Sequence, residues 1–204
     1  MQAVILANGK FPAHPKPLSI LTHAPILVCC DGAVEHLESL GLKLDAIVGD
    51  LDSVAGNFKE KYKGILHHDP DQNTNDLTKA VKWCWDQRIS SISIIGATGK
   101  REDHTLGNIG LLTSYARMGL GVEMYTDTGI LKPVLKSSRF KSYKGQQVSI
   151  FSPNNQTVIY TKNLKYPILN QQLPELWMGT LNESMGDSFE VTFTPGPLIV
   201  YQNY

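Results

Sequence analysis

Two stretches, DAIVGDLDSV (residues 45–54) and ILHHDPDQNTND (residues 65–76), decide how the rest of the chain is read. Each sets a short apolar run beside acids, Asp50 and Asp52 in the first and Asp71 and Asp76 in the second. Apolar runs of this length, closed by Gly or Pro, suit buried strands, so the acids fall at strand ends. A single Asp there is ordinary turn chemistry, because its side chain bonds nearby backbone. Four together point to a metal site, since crowded unpaired carboxylates repel one another and a hard cation relieves the repulsion.

Working outward, residues 3–7 (AVILA), 25–30 (PILVCC), 46–48, 65–67, 91–95 (SISII) and 122–125 read as strands. Between them, residues 18–22, 33–40, 57–63, 76–88 and 104–118 read as helices. The helix over 76–88 has the clearest pattern: Leu77, Ala80, Val81 and Cys84 recur at three-to-four spacing, and Asn75 or Asp76 can cap it. Trp83 and Trp85 flank that stripe and are assigned to core or interface. In the helix over 104–118, Leu106, Ile109, Leu112 and Ala116 are expected to face inward. Alternation of strand and helix predicts an α/β three-layer domain with a parallel sheet over residues 1–126. After that the texture changes. Residues 134–136, 147–151, 157–161, 188–193 and 198–201 are short and β-rich, with Gly/Pro junctions at 152–155 and 194–197. This pattern predicts a small antiparallel β-sandwich domain over 127–204, which buries modest area and so leans on the first domain or a second subunit.

Composition narrows the function. Of 204 residues, 42% are hydrophobic and 19% charged, which suits a packed core rather than disorder. The zero net charge argues against a general nucleic-acid or membrane-surface role, while leaving room for a local phosphate pocket. The three cysteines, Cys29, Cys30 and Cys84, lack the number and spacing of a disulfide framework or a zinc site and read as small core residues. The opening MQAVILANGKF has no signal-peptide pattern, and no apolar run approaches the ~20 residues of a membrane helix, so a soluble cytoplasmic protein is expected. Without secretion, the glycosylation patterns at Asn155 and Asn182 carry little meaning.

In an open parallel sheet, ligands bind at the carboxyl ends of the strands. Strand two delivers Asp31 there, strand three Asp50 and Asp52, and strand four Asp69, Asp71, Gln72 and Asn73. Strand five delivers Gly96, Gly99, Lys100, Arg101 and Asp103. Acids from three strands and a Gly-rich basic loop suit a phosphate with its Mg²⁺: carboxylates hold the ion, glycines admit backbone N–H groups to the phosphate oxygens, and Lys or Arg pairs with them. The chain has no GxxxxGK[ST], no GxGxxG after the first strand, no GxSxG and no HExxH. His67 and His68, adjacent on a strand, point to opposite faces and make a poor zinc pair.

These elements resemble the thiamine pyrophosphokinase (thiamin diphosphokinase) family. The resemblance is carried by Cys30-Asp31-Gly32-Ala33, Gly49-Asp50-Leu51-Asp52-Ser53, Asp71-Gln72 through Asp76-Leu77-Thr78-Lys79, and Gly96 to Gly99 followed by Arg101-Glu102-Asp103-His104. It extends to Leu164-Lys165-Tyr166-Pro167 and Gly179-Thr180-Leu181-Asn182-Glu183. The resemblance implies a transferase: ATP gives a pyrophosphoryl group to the hydroxyethyl oxygen of thiamine and AMP leaves, in a homodimer whose active sites lie between subunits. It implies Asp50, Asp52 and Asp76 as Mg²⁺ ligands. It implies Asp31, Gln72, Asn73, Thr78, Lys79, Arg101, Asp103 and His104 on the ATP side, and Ser149, Tyr166 and Asn182 on the thiamine side. Three positions depart from the family's habit: Asn75 in place of Thr, Lys100 in place of a second Gly, and Leu181 in place of Ser.

The chemistry asks for neutralised phosphate charge and a nucleophile held in line, and enclosure supplies part of the ~7–11 kcal/mol available from orientation. Asp50, Asp71 and Asp103 are each able to take the alcohol's proton, and sequence does not choose. Plainer roles stand beside these. Asp31 and Asp103 precede helices and can cap them, Lys79 can be surface, Tyr166 packing and Asn182 a turn residue. Two other functions compete: pyrophosphate transfer to a different small alcohol, and non-catalytic nucleotide binding.

Overall fold

The computed structural model describes residues 1–194 and 196–204; Pro195, in the second Gly/Pro junction, lies outside the described residues. The chain forms two compact units. Met1–Leu111 and Gly119–Asp127 make the first, and Leu112–Met118 and Thr128–Tyr204 the second.

Along residues 2–125 the elements alternate: β1 (Gln2–Leu6), α1 (Pro15–Thr22), β2 (Leu27–Cys30), α2 (Val34–Glu38), β3 (Ala46–Gly49), α3 (Gly56–Lys61), β4 (Leu66–His68), α4 (Asp76–Asp86), β5 (Ser91–Ile95), α5 (Glu102–Arg117), whose residues from Leu112 on are counted in the second unit, and β6 (Gly121–Tyr125). The strands pair in parallel in the order β6-β5-β1-β2-β3-β4. The chain therefore steps outward from β1 to β4, then returns to the other side of β1. β2 and β3 are buried along their whole length, as strands covered on both faces must be. Val4, Leu6, Leu27, Cys29, Ile47 and Ile95 pack in one cluster with Leu21 of α1 and Val34 and Leu37 of α2. Neighbouring strand residues point to opposite faces, so Ile5, Val28, Cys30 and Val48 face the other side. α4 lies against β1, β2 and β3 and buries Leu77, Ala80, Val81 and Cys84. This is the three-layer arrangement that the alternation predicted.

Local chemistry explains the boundaries. The Asn75 side chain accepts the Thr78 N–H at 2.9 Å, capping α4. α2 is shorter than expected, because Asp31–Ala33 forms a 3-10 turn before it. Trp85, expected in a core or an interface, stands 54% exposed, while Trp83 packs at 5.2 Å from the His67 ring. On α5 the inward stripe is Asn108, Leu112 and Tyr115, spaced three to four apart, so Leu106 falls on the opposite side and is exposed.

The second unit holds two sets of antiparallel strands. One has the order β12 (Asn182–Glu183), β9 (Gln147–Phe151), β14 (Leu198–Asn203), β7 (Gly129–Val134). The other has the order β11 (Leu169–Gln172), β10 (Val158–Lys162), β13 (Ser188–Thr194), β8 (Ser138–Lys141). Val148, Ile150 and Val200 from the first share one core with Ile159, Phe189 and Val191 from the second, giving the expected sandwich. Residues 134–136 do not form the strand expected there. The strand is Gly129–Val134, and Pro133 within it, paired opposite Ile199, disguised the pattern. β8, β11 and β12 were not legible: β12 has two residues, and β11 is exposed throughout.

All three cysteines are free and buried. Burial pushes the Cys84 thiol up to about 12. Among the described residues no helix is long and apolar enough to cross a membrane.

Phe189 is fully buried and stacks on Phe140 at 5.0 Å between centroids. Phe189→Ala is expected to cost about 3–5 kcal/mol in urea unfolding, through lost transfer energy and the cavity left behind. A cost under about 1 kcal/mol would show that the sandwich does not depend on this layer.

Candidate active site

The reversal of strand order places the crevice of the sheet beside β1 and β5, at their carboxyl ends. There, a cleft of about 490 Å³ is lined by Asn8 and Gly9 after β1, Asp31 after β2 and Asp50 and Ser53 after β3. Gln72, Thr74, Asn75, Asp76 and Lys79 contribute from the β4–α4 segment. Thr98, Lys100, Arg101, His104, Thr105 and Asn108 come from the loop after β5 and the start of α5. The loops after β1 and β5 are tied together: Gly9 N–H donates to Gly96 O at 2.6 Å, Lys10 N–H to Thr98 O at 2.8 Å and Lys100 Nζ to Asn8 Oδ1 at 3.2 Å. Gly96 and Gly99 sit at φ 68° and 83°, conformations that favour glycine.

Asp31 is the most constrained acid. It is 3% exposed at φ 39°, its Oδ2 accepts the Ser53 N–H at 3.2 Å, and its Oδ1 is buried with no hydrogen-bond partner. Burial first, and then the charges of Asp76 and Asp50, push its carboxyl above the usual range. Gly49 makes the crowding possible: a methyl there would lie 3.0 Å from Asp31 Cβ and 3.2 Å from Asp76 Oδ1. Asp76 begins α4, where the helix dipole favours negative charge, and Lys79 Nζ lies 3.3 Å from its Oδ1. Asp50 Oδ1 accepts the Asp52 N–H at 3.2 Å and Oδ2 the Gln72 amide at 3.4 Å, which hold its carboxyl below the usual range.

Asp52 is placed differently from its neighbour. Leu51 is buried in the core at φ 62°, and this turn leaves Asp50 on the cleft wall and Asp52 exposed, outside the lining. The charges of Asp76 and Asp50 thus bear on Asp31, while Asp52 stands outside the lining. Among the described residues, no group of three His, Cys, Asp or Glu side chains is disposed to hold a metal ion by itself. The donor chemistry still suits magnesium. All the donors are hard oxygens, one is orphaned, and Mg²⁺ usually takes one or two carboxylates and completes its shell with water and substrate phosphate.

Several expected residues are engaged locally. Asp71 accepts Asn73 N–H at 2.9 Å, Asn73 Nδ2 at 3.0 Å and Thr74 Oγ1 at 3.2 Å, so it and Asn73 build a turn. The Thr78 hydroxyl donates to Asn75 Oδ1 at 2.7 Å. Asp103 takes Arg101 Nε at 3.1 Å and NH2 at 2.6 Å, and this pair lowers its carboxyl to about 2. The cleft also uses residues that sequence reasoning passed over. Asn8 closes β1, and its Asn-Gly was read only as a stop. Asn108, four residues after His104, donates to Ala97 O at 2.8 Å.

The three residues expected on the thiamine side lie together in the second unit. Ser149 Oγ accepts the Leu181 N–H at 3.3 Å. Asn182 Oδ1 accepts the Tyr166 N–H at 3.1 Å, and its Nδ2 donates to Tyr166 O at 2.6 Å, so this amide clamps the Tyr166 backbone. The Tyr166 ring is 62% exposed.

Replacing a buried carboxylate that has an orphaned oxygen should relieve strain. Asp31→Asn is expected to raise the thermal midpoint at pH 7 by a few degrees, about 1 kcal/mol, with Asn tolerating the positive φ. A carboxyl whose folded pKa is raised destabilises above that pKa and ceases to do so as protons bind. The gain should therefore shrink as pH falls through the raised value. A midpoint at or below the parent's at pH 7 would count against this account of Asp31.

Comparison with known proteins follows the same two-part division. The thiamin pyrophosphokinase catalytic-domain model matches residues 18–124, and the thiamin pyrophosphokinase substrate-binding-domain model matches residues 129–201. "Thiamine pyrophosphokinase 3" of Oryza sativa subsp. japonica is 40% identical over 136 residues, 54% of this chain and 50% of the relative. "Thiamine pyrophosphokinase 2" of Arabidopsis thaliana is 25% identical over 204 residues, 84% of this chain and 74% of the relative. The chain spans about half the length of the first curated relatives it matches. In fold it is similar to the crystal structure of thiamine pyrophosphokinase from Bacillus subtilis, with TM-score 0.84, 19% identity and coverage of 100% of this chain and 99% of the other. Thiamin pyrophosphokinase from Candida albicans gives TM-score 0.80 at 17% identity, over 98% of this chain and 89% of the other. With more than half of its length matched by the catalytic-domain model alone, this chain belongs to the thiamin pyrophosphokinase family.

Proposed function

We propose that the protein is a thiamine pyrophosphokinase, transferring a pyrophosphoryl group from ATP to the hydroxyethyl oxygen of thiamine, with thiamine diphosphate and AMP as products. The observation that carries this reading is the match of both family domains, in order, along one chain whose first unit holds a cleft of acids and cations. The cleft volume, about 490 Å³, suits a nucleotide-sized ligand. Phosphate oxygens would meet the backbone of the Asn8-Gly9 and Gly96–Gly99 loops, with exposed Lys100 and Arg101 as counter-charges. Gln72 and His104 would contact the nucleotide from the cleft wall, with Asn73, Thr78 and Asp103 shaping its surroundings.

Asp50, Asp52 and Asp76 are the proposed magnesium ligands; Asp50 and Asp76 line the cleft, with Asp31 beside them. Bound there, magnesium would neutralise phosphate charge during transfer. All three acids able to take the alcohol's proton are engaged, Asp71 in its turn, Asp103 with Arg101 and Asp50 with Asp52 N–H and Gln72; Asp50, on the cleft wall, is the proposed acceptor. On the acceptor side, the Tyr166 ring would stack on the pyrimidine, Asn182 would fix its backbone and Ser149 would hold the Leu181 turn. A homodimer with active sites between subunits, in the cytoplasm, completes the reading.

A second reading keeps the chemistry and changes the acceptor. It is favoured by Leu181, which is 71% exposed at φ 57° where the family usually carries Ser. An assay of AMP release with ATP, Mg²⁺ and a panel of alcohols separates the two. Thiamine-dependent AMP is expected, with kcat lowered on the order of 10²–10³-fold in Asp50→Asn. AMP with another pyrimidine alcohol alone would select the second reading. ATP binding without turnover on any acceptor would sink both.

A further inference from the structure

The Lys79 side chain is 2% exposed, yet Lys79 lines the cleft and its Nζ lies 3.3 Å from Asp76 Oδ1. A lysine this deeply buried is costly unless a charge answers it. Lys82, one turn further along α4, is exposed as a helical lysine normally is. Lys79 therefore has no need of burial for the helix to form. The acids beside it supply the reason: its Nζ meets Asp76 Oδ1, and Asp76 and Asp31 crowd together at Gly49. Exposed cations for phosphate already line the cleft at Lys100 and Arg101.

We propose that Lys79 is a positioning residue, the resident counter-charge of Asp76 in the acidic cleft, and that it limits how tightly the nucleotide-free protein holds a divalent cation. This rests on reading the cleft as a metal–nucleotide site. It differs from a direct grip on ATP in the sign of one measurement. Removing a phosphate grip leaves the affinity for a bare cation as it was. Removing a counter-charge makes the acids a stronger cation site.

The test is a titration of the whole chain with MnCl2, without nucleotide or thiamine, followed by electron paramagnetic resonance. Lys79→Met is expected to bind Mn²⁺ on the order of tenfold more tightly than the parent, and Lys79→Arg, which keeps the charge, about as the parent does. In chelator, Lys79→Met should melt below the parent, and MnCl2 should close that gap. If Lys79→Met is unfolded in chelator, MnCl2 should restore its circular dichroism. Unchanged or weaker Mn²⁺ binding, or failure of MnCl2 to close the gap or restore the fold, overturns the proposal. No turnover is read, so the two ideas fail separately. A parent that makes no AMP while Lys79→Met tightens on Mn²⁺ refutes the reaction and keeps this role for Lys79.

Discussion

Repulsion between one carboxylate held out of water, Asp31, and its acidic neighbours is the constraint around which the first unit is arranged. Asp31 and Asp76 approach the same bare Cα at Gly49, and one oxygen of Asp31 has no partner. Free energy spent there must come back from elsewhere. The start of α4 offsets part of the cost through its dipole, and Lys79 offsets more by ion pairing. The parallel sheet gives these residues a rigid mount, because β2 and β3 are buried on both faces and end where the acids begin. A cation brought by a phosphorylated ligand would turn this repulsion into binding energy.

The fold was largely legible in the sequence where local pattern and tertiary role agree. The strands of the first unit are short apolar runs with a turn residue after each, and α4 has both a cap and a stripe. On α5 the reading held for Leu112 but not for Leu106, because the inward side also takes Asn108 and Tyr115, which a count of aliphatic residues passes over. It failed again in the sandwich, where β11 has no alternation to read and Pro133 sits inside a paired strand.

At the site, residue types and strand ends were legible, but directions were not. Asp50 and Asp52 are two apart on an apparently extended run, which would point them to one face. Leu51 adopts a positive φ and separates them, and no feature of Asp-Leu-Asp announces that turn. Asn8 joined the cleft because β5 pairs with β1, a fact of sheet order rather than of sequence. In the second unit, both ends of the Asn182 amide bond the Tyr166 backbone, a brace that residue type and position do not announce.

The three buried thiols have a practical corollary. Cys29 and Cys30 end β2, Cys84 lies on the face of α4 that covers it, and burial keeps these groups protonated. An alkylating dye would find Cys30 and Cys84 unreactive until α4 lifts from the sheet, and Cys29 until α1 and α2 lift from the other face. The wild-type chain thus carries its own probe of how often the floor beneath the acidic cleft breathes, and ligands that brace the floor would slow the dye.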